Sequence, residues 1–176
     1  MKYIISLFIS SILLISKAQE PSFPKFQLTR EGIEPIVLIM DSITAPELYK
    51  RTIFWVQKTY QNPDKAMVAN IPNEEIRVEG YKKTAWIHKG FGMVIPYDLA
   101  YTFKIQFKDM KIRLSYIPNE VFAGGKMAKF ESSSWFKNDG SIANSCKNYK
   151  SGLEDSMNEL VNSLYNSLKE GKKDDW

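Results

Sequence analysis

Between Tyr97 and Lys108 the chain alternates strictly. Tyr97, Leu99, Tyr101, Phe103, Ile105 and Phe107 are apolar, and Asp98, Ala100, Thr102, Lys104, Gln106 and Lys108 lie between them. Period two over that length predicts a long strand with one buried face. Ile112, Leu114 and Tyr116 continue the alternation after Asp109-Met110. A two-residue turn would set Phe107 opposite Ile112, Ile105 opposite Leu114 and Phe103 opposite Tyr116. The other face would then pair Lys108 with Lys111, Gln106 with Arg113 and Lys104 with Ser115. One register sorts every apolar pair to one side, which argues for it. Met110 is a poor residue for a positive φ, so a longer or bulged turn stays open.

Other segments follow helical or shorter strand patterns. Ile33 to Met40 is β-branched and apolar on both faces, a strand expected to be covered on both sides, with Pro35 placing its start at an edge. Leu48, Tyr49, Ile53, Val56 and Tyr60 recur at helical spacing, with Trp55 beside them. Thr44 and Glu47 have the spacing of a capping box at the start of that helix, Pro46 is tolerated in its first turn, and Asn62-Pro63 stops it. Ala66 to Ile71, Glu75 to Val78 and Thr84 to His88 read as short strands, with Gly80 a bend between the last two. Leu153, Met157, Leu160, Val161, Leu164 and Leu168 form the apolar stripe of a helix over 151–170, with Ser151 and Glu154 as a second capping box and Gly171 after its end. Packing on the sheet is the simpler use of that stripe, and docking of a partner the other. No internal repeat is visible.

The predicted fold class is α+β: an antiparallel sheet with helices on one face, in β-α-β-β-β-β-α order. The domain spans 33–122, preceded by an extended leader over 19–32 that contains Pro21 and Pro24. Residues 123–150, rich in Gly, Ser, Asn and Lys, read as a flexible loop anchored by Phe130, Trp135 and Phe136. A polar tail over 171–176 closes the chain.

The N-terminus has a pattern of its own. Lys2 is followed by a run of about 13 mostly apolar residues, Tyr3 to Ile15, and then by Ser16-Lys17-Ala18. A charged start, a short apolar run and a small-x-small triplet predict a signal peptide over 1–18, cut between Ala18 and Gln19. The run is short for a membrane helix, which wants about 20 apolar residues, and no later stretch is long or apolar enough to span a bilayer. Gln19 at the cut excludes a lipoprotein cysteine. The expected location is therefore exported, periplasmic or secreted.

Charge and chemistry narrow the functions. Removing Lys2 and Lys17 with the signal takes the formal charge from +4 to +2, too weak to imply a nucleic-acid partner. Cys146 is the only cysteine and His88 the only histidine. An intramolecular disulfide is excluded, and a Cys/His nucleophile pair has only the minimum complement. Metal ligation would rest on carboxylates, and Glu74-Glu75 and Asp174-Asp175 lack a loop-ligand spacing. Glu79 and Asp98 are candidate carboxylates for glycoside hydrolysis that sequence alone does not pair. Gly90-x-Gly92 and Gly124-Gly125 lack the context of a phosphate loop. No cofactor is implied.

One constellation suggests binding. Lys104, Gln106, Lys108, Lys111 and Arg113 should share the polar face of the hairpin, where they could meet an anionic glycan, a lipid head group or an acidic peptide. An ordinary solvated sheet face is the plainer account.

The helix Leu48-Tyr49-Lys50-Arg51 to Trp55, the strand Tyr101-Thr102-Phe103-Lys104-Ile105 and the segment Lys108-Asp109-Met110-Lys111-Ile112-Arg113 resemble a domain-of-unknown-function family, number 4468, described as having a TBP-like fold. The likeness covers roughly 33–122. Where that family usually carries Asp-Gly at the hairpin tip, this chain has Asp109-Met110. The resemblance implies an exported product of a Gram-negative bacterium with no assigned activity, and it supplies no catalytic residue. The function expected is a non-enzymatic binding or envelope-associated module whose partner is an envelope protein or an anionic glycan. The alternative is a hydrolase acting on cell-envelope material.

Overall fold

A computed structural model describes residues 23–90 and 92–170. The expected signal segment over 1–18, the first part of the leader and the expected tail over 171–176 lie outside the described residues. In chain order the elements are β1 (Leu28–Thr29), β2 (Gly32–Ile33), β3 (Ile36–Ile39), α1 (Ala45–Thr59), α2 (Pro63–Ala66), β4 (Met67–Ile71), β5 (Glu75–Gly90), β6 (Met93–Lys108), β7 (Lys111–Ala123) and β8 (Lys126–Lys129). Two 3-10 turns, Ser132–Trp135 and Asn144–Cys146, then lead into α3 (Lys147–Glu170). The α+β class expected from the sequence is the one observed.

The alternating hairpin forms the middle of the main sheet. Its strands run in the order β3-β7-β6-β5-β4, with β8 also paired to β7, and every pairing is antiparallel. The register is the one that the alternation implies, from Lys108 opposite Lys111 to Phe103 opposite Tyr116. The turn has two residues after all, with Met110 at φ 61°. Neighbouring chain holds it there. The Met110 N–H donates to the Ile43 carbonyl at 2.9 Å, and its carbonyl accepts from Met40 N–H at 2.8 Å.

One face of the sheet carries the core. Leu38, Ile76, Val78, Leu99, Phe103, Ile105, Ile112, Leu114 and Tyr116 are buried there. They lie under Leu48, Trp55 and Val56 of α1 and Leu153, Met157, Val161, Leu164 and Leu168 of α3. Each large aliphatic side chain removed from water contributes about 1.5–3 kcal/mol. The α3 stripe is thus used at home. The two helices are also tied together by Arg51 Nη1 donating to the Leu168 carbonyl at 2.6 Å and Trp55 Nε1 donating to Ser163 Oγ at 3.1 Å.

Several local expectations are corrected. The segment 33–40 splits at Glu34-Pro35, and β3 is an edge strand with one face open: Val37 is 45% exposed and Ile39 60%. The two short strands 75–78 and 84–88 are one strand, β5, whose register shifts between Lys82 and Trp86. Gly80 continues that strand because Tyr101 lies across it; a Cβ there would sit 2.3 Å from Tyr101 Cζ. The 123–150 segment holds the end of β7, β8 and both 3-10 turns, and Phe130 and Trp135 pack together with centroids 5.3 Å apart. The helix starts at Lys147, so Ser151 lies inside it and caps nothing.

The leader is part of the core from Phe23 onward. Phe26 and Leu28 are 1% and 2% exposed. Asn158 accepts from Phe26 N–H at 2.8 Å and donates back to its carbonyl at 3.1 Å, while Glu154 accepts from Leu28 N–H at 2.7 Å. The extended backbone, which has no sheet partner at Phe26, is satisfied by side chains of α3.

Candidate functional site

All five residues of the expected basic face share the face of the sheet that no helix covers. The pairings place Lys104 beside Ser115, Gln106 beside Arg113 and Lys108 beside Lys111. β5 adds what the hairpin alone does not reveal. Glu75 stands opposite Gln106, and Arg77 opposite Lys104. The Glu75 carboxylate meets Lys104 Nζ at 2.9 Å, Arg77 Nη2 at 2.9 Å and Gln106 Nε2 at 3.2 Å. Burial opposes its charge, but the hydrogen bonds from Lys104 and Arg77 outweigh burial and hold the carboxyl below its ordinary value.

The five therefore divide. Lys104 and Gln106 are committed to Glu75. Lys108, Lys111 and Arg113 have no carboxylate within ion-pair distance among the described residues. With Val37, Glu74, Gln106 and Phe107 they line a shallow depression of ≈ 570 Å³. Asp109, at the same tip, faces elsewhere: its Oδ1 accepts from Ala45 N–H at 2.8 Å. That bond caps α1. Thr44 makes no side-chain cap bond, and Glu47 pairs with Arg51 at 2.7 Å, so the expected capping box is absent.

The remaining candidates are dispersed. The His88 ring meets the Tyr149 hydroxyl through Nδ1. Cys146 Sγ lies 3.8 Å from Ser145 Oγ, and no hydrogen bond joins it to His88. Asp98 accepts from Thr84 N–H and from the Tyr81 hydroxyl, both at 2.8 Å, and these bonds hold its carboxyl below the usual aspartate range. Glu79 stands opposite Thr102, two residues along β5 from Tyr81, and makes no hydrogen bond to Asp98. Among the described residues no three His, Cys, Asp or Glu side chains gather as a metal site. Gly92 and the pair Gly124-Gly125 have positive φ beside the strand ends they link, which is turn work. Among the described residues no helix is long and apolar enough to cross a membrane.

An antiparallel sheet with helices on one face and a basic patch on the other defines the class. Residues 36–116 match the family described as domain of unknown function (DUF4468) with TBP-like fold. Two solved structures share the fold. A DUF4468 family protein from Bacteroides ovatus superposes with a TM-score of 0.63 at 7% identity, over 77% of this chain and 85% of that one. A TBP-like protein from Parabacteroides distasonis gives 0.60 at 11% identity, over 79% and 93%. No curated protein matches.

Proposed function

We propose that this protein is an exported, non-enzymatic binding module that takes an anionic ligand on the open face of its sheet, at Lys108, Lys111 and Arg113. The observation that carries this reading is the division of the basic face. Lys104 is neutralised by a carboxylate, whereas the three cations near the hairpin tip line a depression in which Glu74, the one carboxylate, makes no ion pair with them. Unpaired cations on a rigid hairpin attract an anion without needing to be reorganised first. The location rests on the charged start, apolar run and Ser16-Lys17-Ala18 triplet of the N-terminus.

Binding of polygalacturonate, an anionic glycan, at low and high salt tests the site. The double variant Lys111→Glu/Arg113→Glu is expected to lose about tenfold or more in affinity, and wild-type binding to weaken as salt rises. Lys104→Gln should bind nearly as wild type, because that charge is already spent on Glu75. Unchanged binding by the double variant would remove the site.

A further inference from the structure

The basic depression ends at β3, and β3 ends the sheet. Opposed residues of an antiparallel pair alternate between exchanging hydrogen bonds and pointing away from each other. Two routes fix that alternation here. Met40 N–H donates to Met110 O, one step beyond the Ile39–Lys111 pair, so Leu38 and Ile36 are the residues bonded to β7. Independently, a two-residue turn makes Lys108 and Lys111 a bonded pair. Ile112 and Leu114 of β7 therefore address β3, where their partners are Leu38 and Ile36. Both routes direct the N–H and C=O groups of Val37 and Ile39 out of the sheet. Among the described residues no other strand pairs with β3 along that edge.

The side chains of the same two residues are exposed on the open face, in line with Arg113 and Lys111 across the β3–β7 pairing. The edge thus offers two backbone donors, two acceptors, an apolar step and unpaired cations behind it. A strand added to β3 would lie about 4.8 Å outside it and about 10 Å from β7. A lysine or arginine and a glutamate, both extended, span that gap across Val37 and Ile39.

We infer that the β3 edge takes up an extended acidic segment of a partner protein as an added strand, its carboxylates reaching Lys111 and Arg113. This rests on the anion-binding reading above and names the partner class for the same site. Strand addition draws affinity from main-chain hydrogen bonds and specificity from alternate side chains. An anionic glycan could satisfy the cations, but its hydroxyls do not repeat at the spacing of a strand's amides and so do not match the alternating donors and acceptors of the edge.

The test uses a blocked eight-residue peptide alternating Glu and Val, with polygalacturonate as the comparison probe. On the wild-type protein saturated with peptide, amide exchange at Val37 and Ile39 should slow by about tenfold or more. Ile39→Pro, outside the lining of the depression, deletes an outward N–H and no bond to β7; it should weaken the peptide by about tenfold and leave polygalacturonate unaffected. Unchanged exchange at both amides, or equal peptide affinity in Ile39→Pro, overturns strand addition and leaves anion binding standing. Polygalacturonate binding without peptide binding does the same. If neither probe binds at low salt, both readings fall. Protection that rises with protein concentration in the absence of peptide would assign the edge to a second copy of this chain and overturn the inference. Should Ile39→Pro not fold, the wild-type exchange decides alone.

Discussion

Asp109 and Met110 show how much one turn can carry. Asp109 caps α1 from 64 positions away, so Asp109→Ala should lower stability by about 1 kcal/mol, the usual cost of losing a cap. Thr44→Ala, at the cap position itself, should be nearly neutral because Thr44 makes no cap bond. Denaturant midpoints of the two variants check the pair, and a larger loss for Thr44→Ala would show the assignment to be wrong. Met110 holds φ 61° at a cost that glycine does not bear, so Met110→Gly should gain up to about 1 kcal/mol. Titration follows from two buried environments. The folded-state carboxyl of Glu75 is lowered, so its contribution is present above its ordinary value of 4.5 and is lost as pH falls through the folded value. Tyr60 and Tyr116 are shifted the other way, chiefly by burial. The unfolded chain gives up those protons near 10.0 and the folded chain keeps them, so stability should decline as pH rises past that point. Thermal melts across the acid and alkaline limbs, with tyrosinate absorbance followed on the latter, would show unfolding and ionisation arriving together.

At the scale of elements, legibility tracked the distance over which a cause acts. The β6–β7 hairpin was readable to the residue because alternation and register are properties of one short stretch. The α3 stripe was readable for the same reason. The Thr44 and Glu47 pattern misled because a capping box is a local signature, whereas the true cap arrives from a turn folded against the helix start. The alternation places Lys104, Gln106, Lys108, Lys111 and Arg113 on one face but says nothing of Glu75, because only the β5–β6 register reveals which strand supplies the neutralising carboxylate. The described part of the leader carries a short hairpin, Leu28–Thr29 paired with Gly32–Ile33. Its burial had a signal, the alternation of Phe26 and Leu28, but no sequence rule links those residues to Asn158 and Glu154. Phe26→Ala should cost about 3–5 kcal/mol, a core value, in chemical denaturation. A loss below about 1 kcal/mol would return the leader to the status of an appendage. Gly152→Ala tests the packing of α3 on β5. A new Cβ would stand 2.7 Å from Trp86 Cβ, so the variant should lose stability despite alanine's better helix propensity.

Over the whole molecule, the two faces of the sheet have opposite employments. One is closed by α1, α3 and the leader and supplies the stability. The other is bare and carries the charge pattern on which binding is proposed. Substitutions at Lys108, Lys111 and Arg113 should therefore leave the melting temperature within about 2 °C while changing ligand affinity, and substitutions among the stripe residues should do the reverse. The leader's attachment has a further consequence, and it concerns time. Phe26 is held by Asn158, 132 positions later, and Leu28 by Glu154, 126 positions later. A ribosome must deliver nearly the whole chain before its first described segment finds its place. Until then the core lacks a lid at both ends of the sequence, and the native state is withheld from every nascent intermediate.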